Sequence, residues 1–275
     1  MTVWQKTLTR VESLSREPQP GTVRRRLWTQ VAPAPLMVTA FVGVWRLIVR
    51  LTNYPPFILP GPERVWERFI VTAADGTLGY NAAITLGEVL AGLVMGTSVA
   101  CMLGYLLSRS RAVEQLVAPY IVASQSIPVV AIAPLLVIWF GAGALSKIVI
   151  SALVVFFPIL INCITGLRSV EPDLRDLMRS LEANPWQTFT RLELPSAMPH
   201  LISGLKIGAT LSVIGAVVGE FVGADRGLGF LVKQGQGIYD TPLMFVAVFS
   251  LVAIALSLYS LVALIERQLL TWKQS

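Results

Sequence analysis

The chain has 275 residues, of which 54% are hydrophobic and 14% charged, with a mean hydropathy of +0.67. Soluble domains carry roughly 25% charged residues, so this chain lacks the charge needed to cover a soluble surface. A net charge of +6 would suit a nucleic-acid partner, but the basic residues gather at the ends of apolar runs, which argues against that class and for an all-α membrane protein.

Residues 1–30 are polar and without apolar periodicity, and are expected to form a tail. They are too polar for a secretory signal, and no small-residue cleavage site follows the first apolar run, so that run is expected to remain as an anchor. Crossing a bilayer as helix takes about 20 apolar residues. Runs of that kind are expected to form six spans at 34–52, 82–107, 114–140, 144–164, 198–222 and 242–266, which makes residues 31–275 one transmembrane domain.

Between the first two spans, Asn53-Tyr54-Pro55-Pro56 and Leu59-Pro60-Gly61-Pro62 are hostile to helix. Val65, Trp66, Phe69 and Ile70 then predict a short helix at the outer interface. In the second span Gly92, Gly96, Ala100 and Gly104 recur every four residues. In the fifth, Gly204, Gly208 and Ser212 do so, followed by Gly215, Gly219 and Gly223. Small residues on one face let backbones approach closely; static packing and sliding during gating are both compatible with such stripes. Pro119, Pro128 and Pro134 interrupt the third span. Ser124, Gln125 and Ser126, beside the middle break, are placed either to satisfy freed backbone groups or to line a pathway. Cys101 and Cys163 lie in apolar spans, where lone cysteines act as small core residues.

Residues 165–200 form a long charged loop in a chain that otherwise avoids charge. It contains Glu171, Asp173, Asp176, Glu182 and Glu193, with Arg168, Arg175, Arg179 and Arg191. Asn184-Pro185 is a helix start, because Asn caps free N–H groups and Pro at the first helical position loses no hydrogen bond. Trp186, Phe189 and Leu192 follow at three-residue spacing, which predicts one shared helical face, and Leu194-Pro195 closes the unit. Two short helices with an aromatic face outside the membrane are expected to form a docking surface for a soluble partner.

The basic residues set an orientation. If the N-terminus is cytoplasmic, that side receives Lys6, Arg10, Arg16, Arg24, Arg25, Arg26, Arg109, Arg111, the four loop arginines, Arg267 and Lys273. The outer side receives only Arg64, Arg68, Lys147, Arg226 and Lys233. Fourteen against five is the positive-inside bias, and it places both termini and the 165–195 loop in the cytoplasm. Ionisable residues inside spans are costly and mark candidate functional groups: Glu88 facing a wet cavity, Lys206 snorkelling, and Glu220 near the outer end of the fifth span.

Catalytic chemistry is not visible. Gly141 to Lys147 lacks the Gly-Lys-Ser/Thr ending of a phosphate loop and reads as a tight turn. His200 has no cysteine or second histidine for metal chemistry. No cofactor, metal site or nucleophile–base pair is expected, so the chain is expected to be no enzyme in its own right.

Several stretches together resemble the permease subunits of ATP-binding-cassette importers. Those permeases carry a loop of the form E-A-A, three residues, G, nine residues, I-x-L-P. Anchored on Leu192-Glu193-Leu194-Pro195, the pattern's glutamate falls on Asp176, its alanines on Leu177 and Met178, and its glycine on Glu182. Glycine permits positive φ and glutamate resists it, so Asn184, which tolerates left-handed geometry, is placed to supply the turn. Ser126-Ile127-Pro128, Ala133-Pro134-Leu135 and Trp139-Phe140-Gly141-Ala142-Gly143 also resemble the family. So do Gly219-Glu220-Phe221 and Gly227-Leu228-Gly229, and the likeness covers residues 35–273.

This resemblance implies a homodimer of permeases in a bacterial-type inner membrane. It further implies two cytoplasmic ATP-binding subunits docked on the loops and an external solute-binding protein. It assigns coupling to Asp176, Glu182, Trp186, Phe189, Leu192 and Pro195, and a pathway or gating role to Gln125, Ser126, Pro128 and Glu220. Within the family the chain is most similar to permeases for riboflavin or pyrimidine vitamin precursors, with sulfonate, taurine or nitrate import as the alternative. A neutral heterocycle would suit Gln125, Asn162 and Trp139, and no arginine lies within the inner spans to meet an anion. Two other classes compete: an ion-driven secondary transporter, which predicts paired ionisable residues near the midplane of two related halves, and a membrane anchor or scaffold.

Overall fold

The structure, a computed structural model, describes residues 33–270. The expected N-terminal tail over 1–30 lies outside the described residues. Those described are helical almost throughout, in the order α1 Pro33–Thr52, α2 Pro62–Ala74, α3 Thr77–Ser108, α4 Arg111–Gln125, α5 Val129–Phe140, α6 Ala144–Arg168, α7 Pro172–Ser180 and α8 Pro185–Thr188. A π-helical turn, Phe189–Glu193, then leads into α9 Leu194–Gly223, α10 Leu228–Gly237 and α11 Thr241–Leu269. This agrees with the all-α expectation.

Helix α1 belongs to one compact unit with Leu59–Pro62. Its 20 residues give a length of about 30 Å at 1.5 Å per residue, which matches a hydrocarbon core. The Trp45 indole N–H donates to Pro60 O at 3.1 Å, and Asn53, at φ 47, breaks the helix as the sequence predicts.

The second unit holds the other helices. Among the described residues, four helical runs are long and apolar enough to cross a bilayer: Thr77–Ser108, Ala144–Arg168, Pro185–Gly223 and Thr241–Leu269. The expected third span is not one rod. Helices α4 and α5 meet at 90° across Ser126–Pro128, and only together would they make a further crossing. Pro128 lacks an N–H and starts α5. The Ser124 hydroxyl bonds Ile121 O at 2.8 Å and the Ser126 hydroxyl bonds Val122 O at 3.3 Å, both folding back onto the last turn of α4. Gln125, Ser126 and Pro128 are exposed on this bend.

Helix α6 is the hub, with α3 packed on one side and α9 on another. The small-residue stripes make that possible. A Cβ on Gly96 would lie 2.7 Å from Ala152 O, and one on Gly215 would lie 2.6 Å from Ser151 Cα, so both helices touch the α6 backbone directly. The Ser151 hydroxyl donates to Ser212 O at 2.9 Å across the α6–α9 seam. The stripes thus serve close packing in this conformation. Val89, Ile150, Val155, Ile159, Leu160 and Val246 fill the core around these contacts.

Candidate functional site

Two polar assemblies sit at opposite ends of the α3–α6–α9 core. The first joins the span ends to the 165–195 loop. Pro172 starts α7 behind Glu171, and the helix stops at Leu181. The next residue, Glu182, adopts φ 53, and Ala183 N–H reaches back to Met178 O at 3.0 Å to close the end. This corrects the expectation that Asn184 supplies the left-handed turn. Glu182, standing where the family pattern has glycine, takes the glycine-like geometry itself.

Asn184 instead has extended backbone and caps α8. Its Oδ1 accepts from Gln187 N–H at 2.8 Å, and Gln187 Oε1 accepts from Asn184 N–H at 2.9 Å, a complete capping box. The π turn that follows is closed by Leu194 N–H donating to Phe189 O. The wider turn begins at Phe189, so it shifts Leu192 relative to Phe189 and leaves the Trp186–Phe189 spacing α-helical. Trp186 is 71% exposed, whereas Phe189 and Leu192 are half-buried. Phe189 packs edge-on against Tyr105 at 5.2 Å and against Cys163, Leu167 and Ala197. Its ring centroid lies 6.0 Å from that of Trp186. Phe189 roots the loop in the spans and Trp186 projects from it. Pro195 is half-buried at the start of α9, and Asp176 is exposed on α7, accepting from Arg179 at 3.1 Å.

Behind the loop lies an ion network that sequence reasoning did not identify. Glu193, only 4% exposed, receives two hydrogen bonds from the Arg109 guanidinium, at 3.0 and 2.9 Å. Arg175 stands 3.9 Å away and donates to Leu167 O at 2.9 Å. Arg109 also lies over the Tyr105 ring at 4.5 Å. The α3–α4 turn, the end of α6, the loop and the start of α9 are therefore locked together by one buried carboxylate. A bidentate guanidinium–carboxylate pair fixes orientation as well as distance. Residues 84 positions apart leave no local signal of such a pairing, although a glutamate between Leu192 and Leu194 is an anomaly worth noticing.

The second assembly lies at the opposite end. Glu220 is fully buried and accepts from the Thr85 hydroxyl at 2.6 Å and from Gly229 N–H. Thr85 Oγ1 in turn accepts from Leu228 N–H at 2.8 Å, and Asn81 Oδ1 accepts from Gly227 N–H at 2.7 Å. The α9–α10 loop is thus wrapped over the Glu220 carboxylate by three amides. Gly227 has φ 105, and a Cβ there would lie 2.3 Å from Glu220 Oε1, so only glycine fits. Glu220 is sequestered inside its own chain rather than presented to a second copy.

Lys147, counted as an outer-loop cation from sequence, is buried in the first turn of α6 and donates to Ala142 O and to Gly223 O, the latter at 2.8 Å. Glu88 is buried and lines a cavity of about 350 Å³ with Lys147, Asp225 and Arg226. Asn81, Thr85 and Glu88 follow one another at helical spacing on α3, a polar stripe visible in the sequence. Lys206 pairs with Glu266 across α9 and α11 instead of merely snorkelling. Asn162 turns its amide onto Pro158 O at 2.8 Å, and Trp139 is exposed. Gln125, Ser126 and Pro128 on the α4–α5 bend belong to neither assembly.

Comparison with known proteins identifies the architecture. Residues 89–271 match the family described as binding-protein-dependent transport system inner membrane component. The riboflavin transport system permease protein RibX of Chloroflexus aurantiacus is 41% identical over 94% of this chain and 96% of its own. The formylaminopyrimidine transport permease protein ThiX of Halalkalibacterium halodurans is 33% identical over 89% of this chain and 97% of its own. Among solved structures, the methionine ABC transporter MetNI in an inward-facing conformation aligns with TM-score 0.63 at 22% identity, covering 72% of this chain and 98% of that one. The chain belongs to this family: it is an inner-membrane permease subunit of an ABC importer, a class that works with an ATP-binding subunit and a solute-binding protein.

Proposed function

We propose that this permease carries riboflavin, or a closely related vitamin precursor, across the inner membrane as one of two identical subunits. Near-complete alignment with a riboflavin permease at 41% identity is the observation that supports the solute. The lack of any arginine in the inner spans also favours a neutral heterocycle over sulfonate, taurine or nitrate.

In this reading the chain hydrolyses nothing itself. Two ATP-binding subunits meet the cytoplasmic 165–195 loops, with Trp186 as the projecting anchor and Phe189, Leu192 and Pro195 as its footing. Asp176 and Glu182 shape α7 and its turn. Closure of the ATP-binding subunits moves the loop, and the Arg109–Glu193 pair passes that motion to α3 and α9. At the outer end, the loop held by Glu220 meets the binding protein, and Gln125, Ser126 and Pro128 on the α4–α5 bend line the path between the two subunits. Both termini lie in the cytoplasm, as the fourteen-to-five distribution of basic residues favours.

The solute is tested by expressing the chain with its cognate binding protein and ATP-binding subunit in a riboflavin-requiring strain. Growth on micromolar riboflavin and saturable uptake of labelled riboflavin, undiminished by excess taurine, are expected. Uptake of taurine or an alkyl sulfonate without riboflavin uptake would overturn the assignment.

A further inference from the structure

Around the span ends, arginines outnumber what the ion pairs can neutralise. Two adjoining cavities, of about 370 and 600 Å³, share Ser108, Arg109, Arg175 and Arg179 in their walls. The larger adds Arg111 and Arg168, so five guanidiniums from the α3–α4 turn, the end of α6 and α7 converge on one space. Three carboxylates answer them: Glu193 for Arg109 and Arg175, Glu114 for Arg168, and Asp176 for Arg179. Five minus three leaves two positive charges. In addition, Arg168 Nη2 and Arg175 Nε are buried donors with no hydrogen-bond partner, and a buried donor left empty is costly.

We propose that this pocket binds one phosphate group carrying up to two negative charges. A guanidinium fork matches phosphate oxygens in pairs, and the two unused donors plus Arg111 supply the directions that the protein's own carboxylates leave open. The pocket sits where the apolar helices α3 and α6 end, at Ser108 and Arg168. Read as spans, those helices bring it to the level of lipid headgroups, where arginine clusters attract anionic lipid. The phosphate comes either from such a headgroup or from solution.

The purified permease–ATPase complex in phosphatidylcholine nanodiscs decides the matter, with phosphatidic acid and inorganic phosphate titrated separately and occupancy read by native mass spectrometry. One phosphate-bearing ligand per permease chain is expected. Arg111→Gln with Arg179→Gln, both exposed positions, should weaken it about tenfold, the fold-change carried by one charge-assisted hydrogen bond. Arg175→Lys keeps the charge without the fork and should fall between. Saturation by phosphatidic acid alone identifies a headgroup site, and saturation by inorganic phosphate identifies a soluble one. Unchanged affinity in both variants would overturn the proposal. So would ligand binding by the permease alone that disappears when the ATP-binding subunit docks, since an acidic surface of that subunit would then be the true occupant. Co-purification of the ATP-binding subunit, measured on the same samples, tests the importer reading separately.

Discussion

Replacing Glu220 perturbs the α9–α10 loop in a way the structure makes calculable. The carboxylate accepts from Thr85 and Gly229 at a fully buried position. Gln at this site keeps one acceptor oxygen and turns the other into a donor, so one of those two groups loses its partner. Ala removes both acceptors. A buried polar group left unpaired costs about 1–3 kcal/mol, which puts Glu220→Gln at about 2 kcal/mol and Glu220→Ala at about 4 kcal/mol. The loss should concentrate where the network ends, at the amides of Gly227, Leu228 and Gly229. Hydrogen exchange of the detergent-purified protein measures it directly: those amides should exchange faster in Gln and faster again in Ala, while the α6 core keeps its protection. In proteoliposomes Glu220→Gln should still assemble and hydrolyse ATP, with less solute moved per ATP. Wild-type exchange at residues 227–229 together with wild-type stoichiometry would refute the reasoning.

Other expectations follow from the opposite end. Glu182→Gly, at φ 53, should raise stability by up to about 1 kcal/mol, because a left-handed residue with a Cβ is strained by about that much; a lower thermal midpoint would contradict this. In a double-mutant cycle, Arg109→Gln and Glu193→Gln should couple by about 1–3 kcal/mol, read as thermal stability, and additivity would show that the pair is not a lock. Trp186→Ala should release the ATP-binding subunit by about 2 kcal/mol or more, with the permease still folded. Phe189→Ala should lower permease stability as well, by about 1–3 kcal/mol, since the ring is half-buried. In a variant lacking Cys101 and Cys163, a cysteine at Ser180 should label only from the cytoplasm and one at Asp225 only from outside; both labelling from one side would remove a span.

Apolar runs between charged ends predicted helices close to those observed, since burial in lipid leaves the backbone little choice but helix. Pro128 announced a break, but not its size, because proline removes a bond without fixing the new direction. The Asn184 cap was legible because capping is local. The left-handed turn was not: the residues either side of Glu182 decide it, closing α7 with Ala183 bonded to Met178, and that overrides glutamate's preference. Three-residue spacing brought Trp186 and Phe189 together but could not show that Phe189 packs on Tyr105 while Trp186 stays exposed, because Tyr105 comes from α3. Glu220 could be singled out as an ionisable residue in a span, but its partner Thr85 comes from α3, 135 residues earlier, and only the folded chain brings them together.

ATP-driven movement of solute is the most direct test of an importer permease. With the chain, its ATP-binding subunit and its binding protein reconstituted in proteoliposomes, labelled riboflavin should accumulate above equilibrium when ATP is supplied on the loop side. Accumulation should stop when Trp186→Ala is introduced. Riboflavin movement that is indifferent to ATP but follows an imposed ion gradient would contradict it.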